Sequence, residues 1–275
     1  ALGVRAFKEG HYKGMIGIVH SFGPVDGIDD TLATKIAMRF ADNYANNWIL
    51  DTAAKGVIPF DLLCVLSQNY DLSCIKNEHL PIIKNYTVDF LGLNYYSRVW
   101  VKPYSGGETQ LVVNNSGKDF KGESKIVIKG WFEQIMNNPD AIYTEWDVEI
   151  YPQGLQKGLK QVWEKYHLPI FITENGVGVR EDITVNQVED DYRISFMNDH
   201  ISAIMNAVDA GVDVRGYYAW STFDLYSWKN GVEKRYGLVG IDFDDKELKR
   251  KPKKSYYWYK SIAESNGEKI QRKNW

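Results

Sequence analysis

The stretch Phe171-Ile172-Thr173-Glu174-Asn175-Gly176 ends an apolar run in a carboxylate and follows it with a glycine. α/β enzymes carry catalytic groups at such C-terminal strand ends. A glutamate placed there can attack an anomeric carbon and form a covalent glycosyl-enzyme. It can equally cap a helix or face solvent, and position alone leaves both readings open. Other chemistries find less support. Cys64 and Cys74 lack CxxC spacing and a nearby His pair, and they read as ordinary reduced core thiols. The five histidines show no HxxxH or HxxEH spacing, so no metal is expected. No GxGxxG or GxxxxGK follows a strand, which disfavours a nucleotide-binding protein, and no cofactor is expected.

The elements around Glu174 alternate between short apolar strands and amphipathic helices. Strands are expected at 15–20, 88–96, 169–173 and 214–220. A long helix is expected from Asp30 to Lys55, with Leu32, Ile36, Phe40, Tyr44 and Trp48 on its buried face and Gly56 as its stop. Further helices are expected over 154–166, with Leu155, Leu159, Val162 and Trp163 on one side, over 191–210, burying Ile194, Met197, Ile201, Ile204, Met205 and Val208, and from Ser255 onward. The region 103–151 reads mostly as loop, with one short hairpin near 125–129, and a loop of that length is functional or mobile in most folds. A second hairpin is expected over 236–243. Strands with near-continuous apolar character have both faces covered, as in a parallel sheet. Four βα units in a row fit a doubly wound sheet or half of a (β/α)8 barrel.

The composition sets outer bounds. The 275 residues suffice for one large domain or two small ones, and residues 1–275 read as a single domain, without repeats or an obvious linker. A net charge of −3 and the absence of a dense Lys/Arg block give no footing for nucleic acid or an anionic membrane. The short run Lys249-Arg250-Lys251-Pro252-Lys253-Lys254 reads as a solvated loop before a helix. No apolar run is long enough to span a bilayer. With no signal-peptide layout and reduced thiols, a cytoplasmic location is expected. The 9 Trp and 18 Tyr offer flat apolar faces with polar edges, which suit a sugar site and equally suit a large core.

Four segments in order narrow the reading: Phe90-Leu91-Gly92-Leu93-Asn94-Tyr95-Tyr96, Tyr151-Pro152-Gln153-Gly154-Leu155, Ile172-Thr173-Glu174-Asn175-Gly176 and Gly216-Tyr217-Tyr218-Ala219-Trp220-Ser221. Over nearly its whole length the chain resembles the family 1 glycoside hydrolases. The resemblance implies the last four βα units of a (β/α)8 barrel and a retaining double-displacement hydrolysis of β-glycosides. It assigns Glu174 as nucleophile, Tyr96 as the tyrosine whose hydroxyl touches that carboxylate, Asn94 as a residue near the sugar 2-hydroxyl, and Trp220 as the platform under the ring. Without the resemblance these three would read as a packing Tyr, a turn Asn and a core Trp.

The segment Asp224 to Gly237 bears on the substrate. Ordinary β-glucosidases of the family carry a glutamate where Ser227 stands, and a carboxylate there would repel a 6-phosphate. Here Ser227 is followed by Lys234 and Tyr236, together a hydroxyl, an ammonium and a phenol able to donate to a dianion. The set resembles the phosphate-binding triad of the 6-phospho-β-glycosidases. Trp228, directly after the serine, resembles the 6-phospho-β-galactosidases, where an aromatic beside the sugar's C4 favours an axial hydroxyl. The expected substrates are 6-phosphorylated β-glycosides, such as disaccharides phosphorylated during uptake. The competing readings are an unphosphorylated β-glycosidase and a non-catalytic sugar-phosphate-binding half-barrel.

A retaining glycosidase uses two carboxylates about 5–5.5 Å apart. The family places its acid/base glutamate in an Asn-Glu-Pro motif at the fourth barrel strand, and 1–275 carries no such motif; Asn77-Glu78-His79 has no apolar strand leading into it. The first residues read as the middle of a helix. The chain is therefore expected to begin inside something larger and to need a complementary N-terminal barrel segment or self-association.

Overall fold

The computed structural model describes residues 1–275. Its helices are α1 (Leu2–Glu9), α2 (Leu32–Asp42), α3 (Trp48–Lys55), α4 (Phe60–Leu66), α5 (His79–Asn85), α6 (Pro152–Tyr166), α7 (Asp191–Asp209) and α8 (Lys254–Glu264). The central sheet holds β1 (Gly17–Phe22), β3 (Phe90–Tyr95), β8 (Ile170–Asn175) and β9 (Val214–Ala219), all parallel and in chain order. Parallel strands in sequential order with helical crossovers are the pattern of consecutive barrel units. Leu91, Leu93, Tyr95, Ile170 and Ile172 turn toward the helices and form one core with Leu155, Leu159 and Val162 of α6. The alternate residues face the concave side, where Phe90 meets Phe171 edge to face at 5.1 Å.

The region read as loop folds instead into a second sheet. β2 (Val25–Gly27), β4 (Val99–Pro103), β5 (Gln110–Val112), β6 (Lys125–Ile128) and β7 (Phe132–Gln134) run in the order β2-β4-β7-β6-β5. The expected hairpin is its β6–β7 pair. β2 and β4 directly follow β1 and β3, so this sheet stands at the C-terminal end of the parallel one. Arg98 anchors it: its guanidinium lies 4.1 Å from the Trp100 ring and 4.2 Å from the Tyr151 ring. It donates to Glu149 at 2.8 and 2.9 Å and to Asp26 at 3.3 Å.

The long helix differs from its expected form. Asn43–Asn47 is a π-helical turn between α2 and α3, and Gly56, at φ 69°, ends α3. The expected apolar face is largely exposed, with Leu32 at 75% and Tyr44 at 51%. At about 100° per residue a strict four-residue spacing drifts about 40° each step, so that stripe winds around the helix. The buried face is Thr34, Ala37 and Ala41, small residues that let α2 lie close on Val25, Val101 and Phe132.

Four further expectations change. Both cysteines are exposed, because Cys64 lies on the outer side of α4 and Cys74 in a turn. Val208 is exposed in the last turn of α7. β10 (Val239–Ile241) pairs with β11 (Arg250–Pro252) rather than closing a hairpin within 236–243. The basic run is not solvated as a whole, since it supplies β11 and Lys253 is fully buried in ion pairs with Glu181 and Asp224. No helix of the chain is long and apolar enough to cross a membrane.

Candidate active site

The register of the parallel sheet brings the site residues to one level. Asn94 pairs with Glu174 across β3 and β8, and Asn175 pairs with Ala219 across β8 and β9. The Tyr96 hydroxyl donates to Glu174 Oε2 at 2.7 Å. That bond fixes the orientation of the carboxylate. Burial, and then the hydrogen bond to Glu174, push the Tyr96 phenol well above its ordinary range, so it stays a donor. Thr173 donates to Asn94 Oδ1 at 2.6 Å, which orients the Asn94 amide.

Asn175 locks the strand ends behind this pair. Its Nδ2 donates to the Tyr95 carbonyl at 2.8 Å, its Oδ1 accepts from the Tyr217 hydroxyl at 3.0 Å, and its carbonyl accepts from the Trp220 amide at 2.8 Å. Trp220 is half-buried, and that last bond fixes its backbone beside Asn175 at the end of β8. Gly176 is required there: a Cβ on it would lie 1.9 Å from the Trp220 carbonyl oxygen.

The 224–237 segment folds back onto this constellation. A Cβ on Gly178 would lie 2.7 Å from Tyr236 Cε2 and 2.8 Å from Lys234 Cγ, so the turn after Glu174 presses on both side chains. The Tyr236 ring meets Tyr96 edge to face at 6.4 Å. Burial and then the Glu174 charge push the Tyr236 phenol up to about 12, which keeps it protonated. Lys234 is only 8% exposed. Its ammonium lies 4.9 Å from the Trp146 ring centroid and 5.3 Å from that of Tyr236, and no carboxylate or hydrogen-bond acceptor meets it. Burial lowers its pKa to about 8.

Ser227 stands in a separate turn, where its Oγ accepts the amides of Lys229 at 3.2 Å and Asn230 at 3.1 Å. With its lone pairs so engaged, its own O–H is available to donate. No contact joins it to Lys234 or Tyr236. Trp228 is 90% exposed, with the Lys229 ammonium 5.2 Å from its ring.

A buried chain of alternating charges carries both loops. Arg193 of α7 pairs with Asp190 and Glu181, each at 2.9 Å. It also donates to the carbonyls of Val177 at 2.6 Å and Tyr236 at 3.0 Å. Lys253 links Glu181 to Asp224, and Asp224 accepts from Arg235 at 2.8 Å. The sequence reading missed Arg193 and Trp146. Arg193 shares the face of Met197 and Ile204, so its helical phase marked it as inward-facing. Trp146, in a loop without periodicity, gave no signal.

Residues 1–268 match the family described as Glycosyl hydrolase family 1. The chain therefore belongs to that family. Among curated relatives it is 37% identical to a 6-phospho-beta-galactosidase of Clostridium acetobutylicum over 268 residues, covering 94% of this chain and 55% of the relative. It is 38% identical to one of Staphylococcus aureus over 278 residues, covering 96% and 57%. The solved GH1 beta-glucosidase of Exiguobacterium antarcticum B7 superposes with a TM-score of 0.81 at 28% identity, over 98% of this chain and 55% of that one. The Thermotoga maritima beta-glucosidase in complex with glucoimidazole gives 0.78 at 27% identity, over 96% and 54%. The chain spans about half the length of the curated relatives it matches, and its four parallel strands correspond to part of the barrel.

Proposed function

We propose that this chain provides the nucleophile and the phosphate pocket of a retaining hydrolase of 6-phosphorylated β-glycosides, with the galactosides as the favoured class. One observation carries the phosphate reading. Lys234 is a largely buried lysine whose ammonium has no counter-ion, and it packs against Tyr236, whose ring abuts the tyrosine bonded to Glu174. Burying an unpaired charge is costly, and a dianionic ligand relieves that cost. Tyr236 adds a neutral donor beside Lys234, and Ser227 would add a second once its turn moves toward them. The relatives named 6-phospho-beta-galactosidase support the galacto preference.

In the proposed reaction a Glu174 oxygen attacks the anomeric carbon while the bond to the aglycone oxygen breaks. That oxygen takes a proton from a second carboxyl group. Water then attacks the anomeric carbon, gives its proton back to that group, and releases Glu174. A complementary barrel segment would contribute the second carboxyl group and cover the outer edges of β1 and β9, each of which has a single strand neighbour.

The solved relatives are β-glucosidases, so the plain glycoside is the competing substrate. The test uses dinitrophenyl 6-phospho-β-galactoside and its unphosphorylated analogue, whose leaving group needs little acid assistance. The intact mass of wild type should gain one phosphogalactosyl group, and Glu174→Gln should gain none. An adduct from the plain sugar alone would establish an ordinary glycosidase. No adduct from either would favour a sugar-phosphate-binding module.

A further inference from the structure

We propose that Trp146 is a positioning residue for the phosphate site, its indole face holding the Lys234 ammonium in place without cancelling its charge. The inference rests on the phosphate reading of Lys234. A carboxylate partner would hold that ammonium as firmly, but it would compete with a phosphate for the same protons and repel the dianion. An aromatic face attracts a cation through its quadrupole and leaves the net charge available.

Trp146 is built for the task. It is 3% exposed, and the Arg180 guanidinium lies 5.1 Å from the same ring. Unlike Lys234, Arg180 has its own partners, Glu145 and Glu233, both at 3.0 Å. The ring cannot shift toward Gly117, where a Cβ would already lie 2.8 Å from Cε2 and Cζ2. The backbone around the indole is pinned as well. Asp147 accepts the amides of Gly122 at 2.8 Å and Ser124 at 3.2 Å, and the Glu145 carbonyl accepts from Asn114 at 3.0 Å. A loop this constrained sets the ammonium's position rather than following it.

The test is a double-mutant cycle read by calorimetric binding of galactose 6-phosphate, with galactose as control. The variants are Trp146→Phe, Trp146→Leu, Lys234→Met and the corresponding doubles. Trp146→Leu should weaken galactose 6-phosphate binding about tenfold. Trp146→Phe, which keeps a smaller π-face and safeguards the fold, should weaken it less. Galactose binding should be unchanged in both. In the Lys234→Met background neither Trp146 change should have a further effect. An equal loss with and without Lys234, or an equal loss for galactose, would overturn the positioning role. Wild type binding galactose 6-phosphate no more tightly than galactose is a separate result, and it would overturn the phosphate reading together with this inference.

Discussion

Removing the Lys234 charge should make the fold more stable and the site worse. Burial takes the ammonium from its ordinary 10.5 to about 8. At about 1.4 kcal/mol per tenfold change in affinity, holding the charge at neutral pH costs roughly 3 kcal/mol. The folded chain binds this proton less tightly than the unfolded chain does. The penalty is therefore complete below a pH of about 8 and fades as pH rises toward 10.5. The Trp146 and Tyr236 faces offset about 0.5–2 kcal/mol of it. Lys234→Met keeps the length of the side chain and removes the charge, so it should raise stability by roughly 1–3 kcal/mol at pH 7. The gain should shrink toward zero by about pH 10.5. Urea denaturation of both proteins at pH 7 and pH 10 measures the difference directly. The same substitution should weaken galactose 6-phosphate binding on the order of a hundredfold, since a charge-assisted contact is lost. A Met variant less stable than wild type, or a stability difference that does not shrink with rising pH, would mean that the ammonium is not the lone buried cation described here.

Two other substitutions probe the scaffold. Gly176→Ala places a methyl group 1.9 Å from the Trp220 carbonyl oxygen, a contact that only backbone movement relieves. It should cost about 3 kcal/mol in urea denaturation and slow formation of the Glu174 adduct, whereas an unchanged urea midpoint would mean the strand ends are loosely held. Arg193→Met leaves Asp190 and Glu181 short of a partner and frees the Val177 and Tyr236 carbonyls. The expected loss is roughly 3–5 kcal/mol, and limited proteolysis should open first within 176–181 or 224–236. A loss below about 1 kcal/mol would show that the loops hold their shape without it.

Elements with a clear period or an unbroken apolar run are legible in the sequence. α6 falls within a few residues of its expected bounds because a single face meets the core and writes the helical period into the sequence, and β8 does so because its apolar run is unbroken. The second sheet was not legible. Its strands are three to five residues long, too short for an alternation to register, and the glycines and asparagines of its turns dominate the composition. α2 misled for a different reason. Its buried face is made of Thr34, Ala37 and Ala41, residues with little hydrophobic weight, while Leu32 and Ile36 point outward. Lys253 shows a third limit: a basic run carries no mark of the distant Glu181 and Asp224 that bury one of its members.

The same limit governs the candidate site. The resemblance to the family pointed to Glu174, Tyr96 and Lys234, but a lysine in a loop looks the same whether it is solvated, paired or stranded. The structure distinguishes these states by comparison among its own enclosed cations. Arg98 meets Asp26 and Glu149, Arg193 meets Asp190 and Glu181, Arg235 meets Asp224, and Lys253 meets Glu181 and Asp224. Each lies in a place whose charge is already balanced, which is how a fold accommodates a buried ion for structural ends. Lys234, two residues from Tyr236 and flanked by two aromatic rings without a carboxylate partner, departs from that pattern. On the proposed reading, the missing negative charge at Lys234 belongs to the bound phosphate, and Tyr236, against Tyr96, connects that place to Glu174.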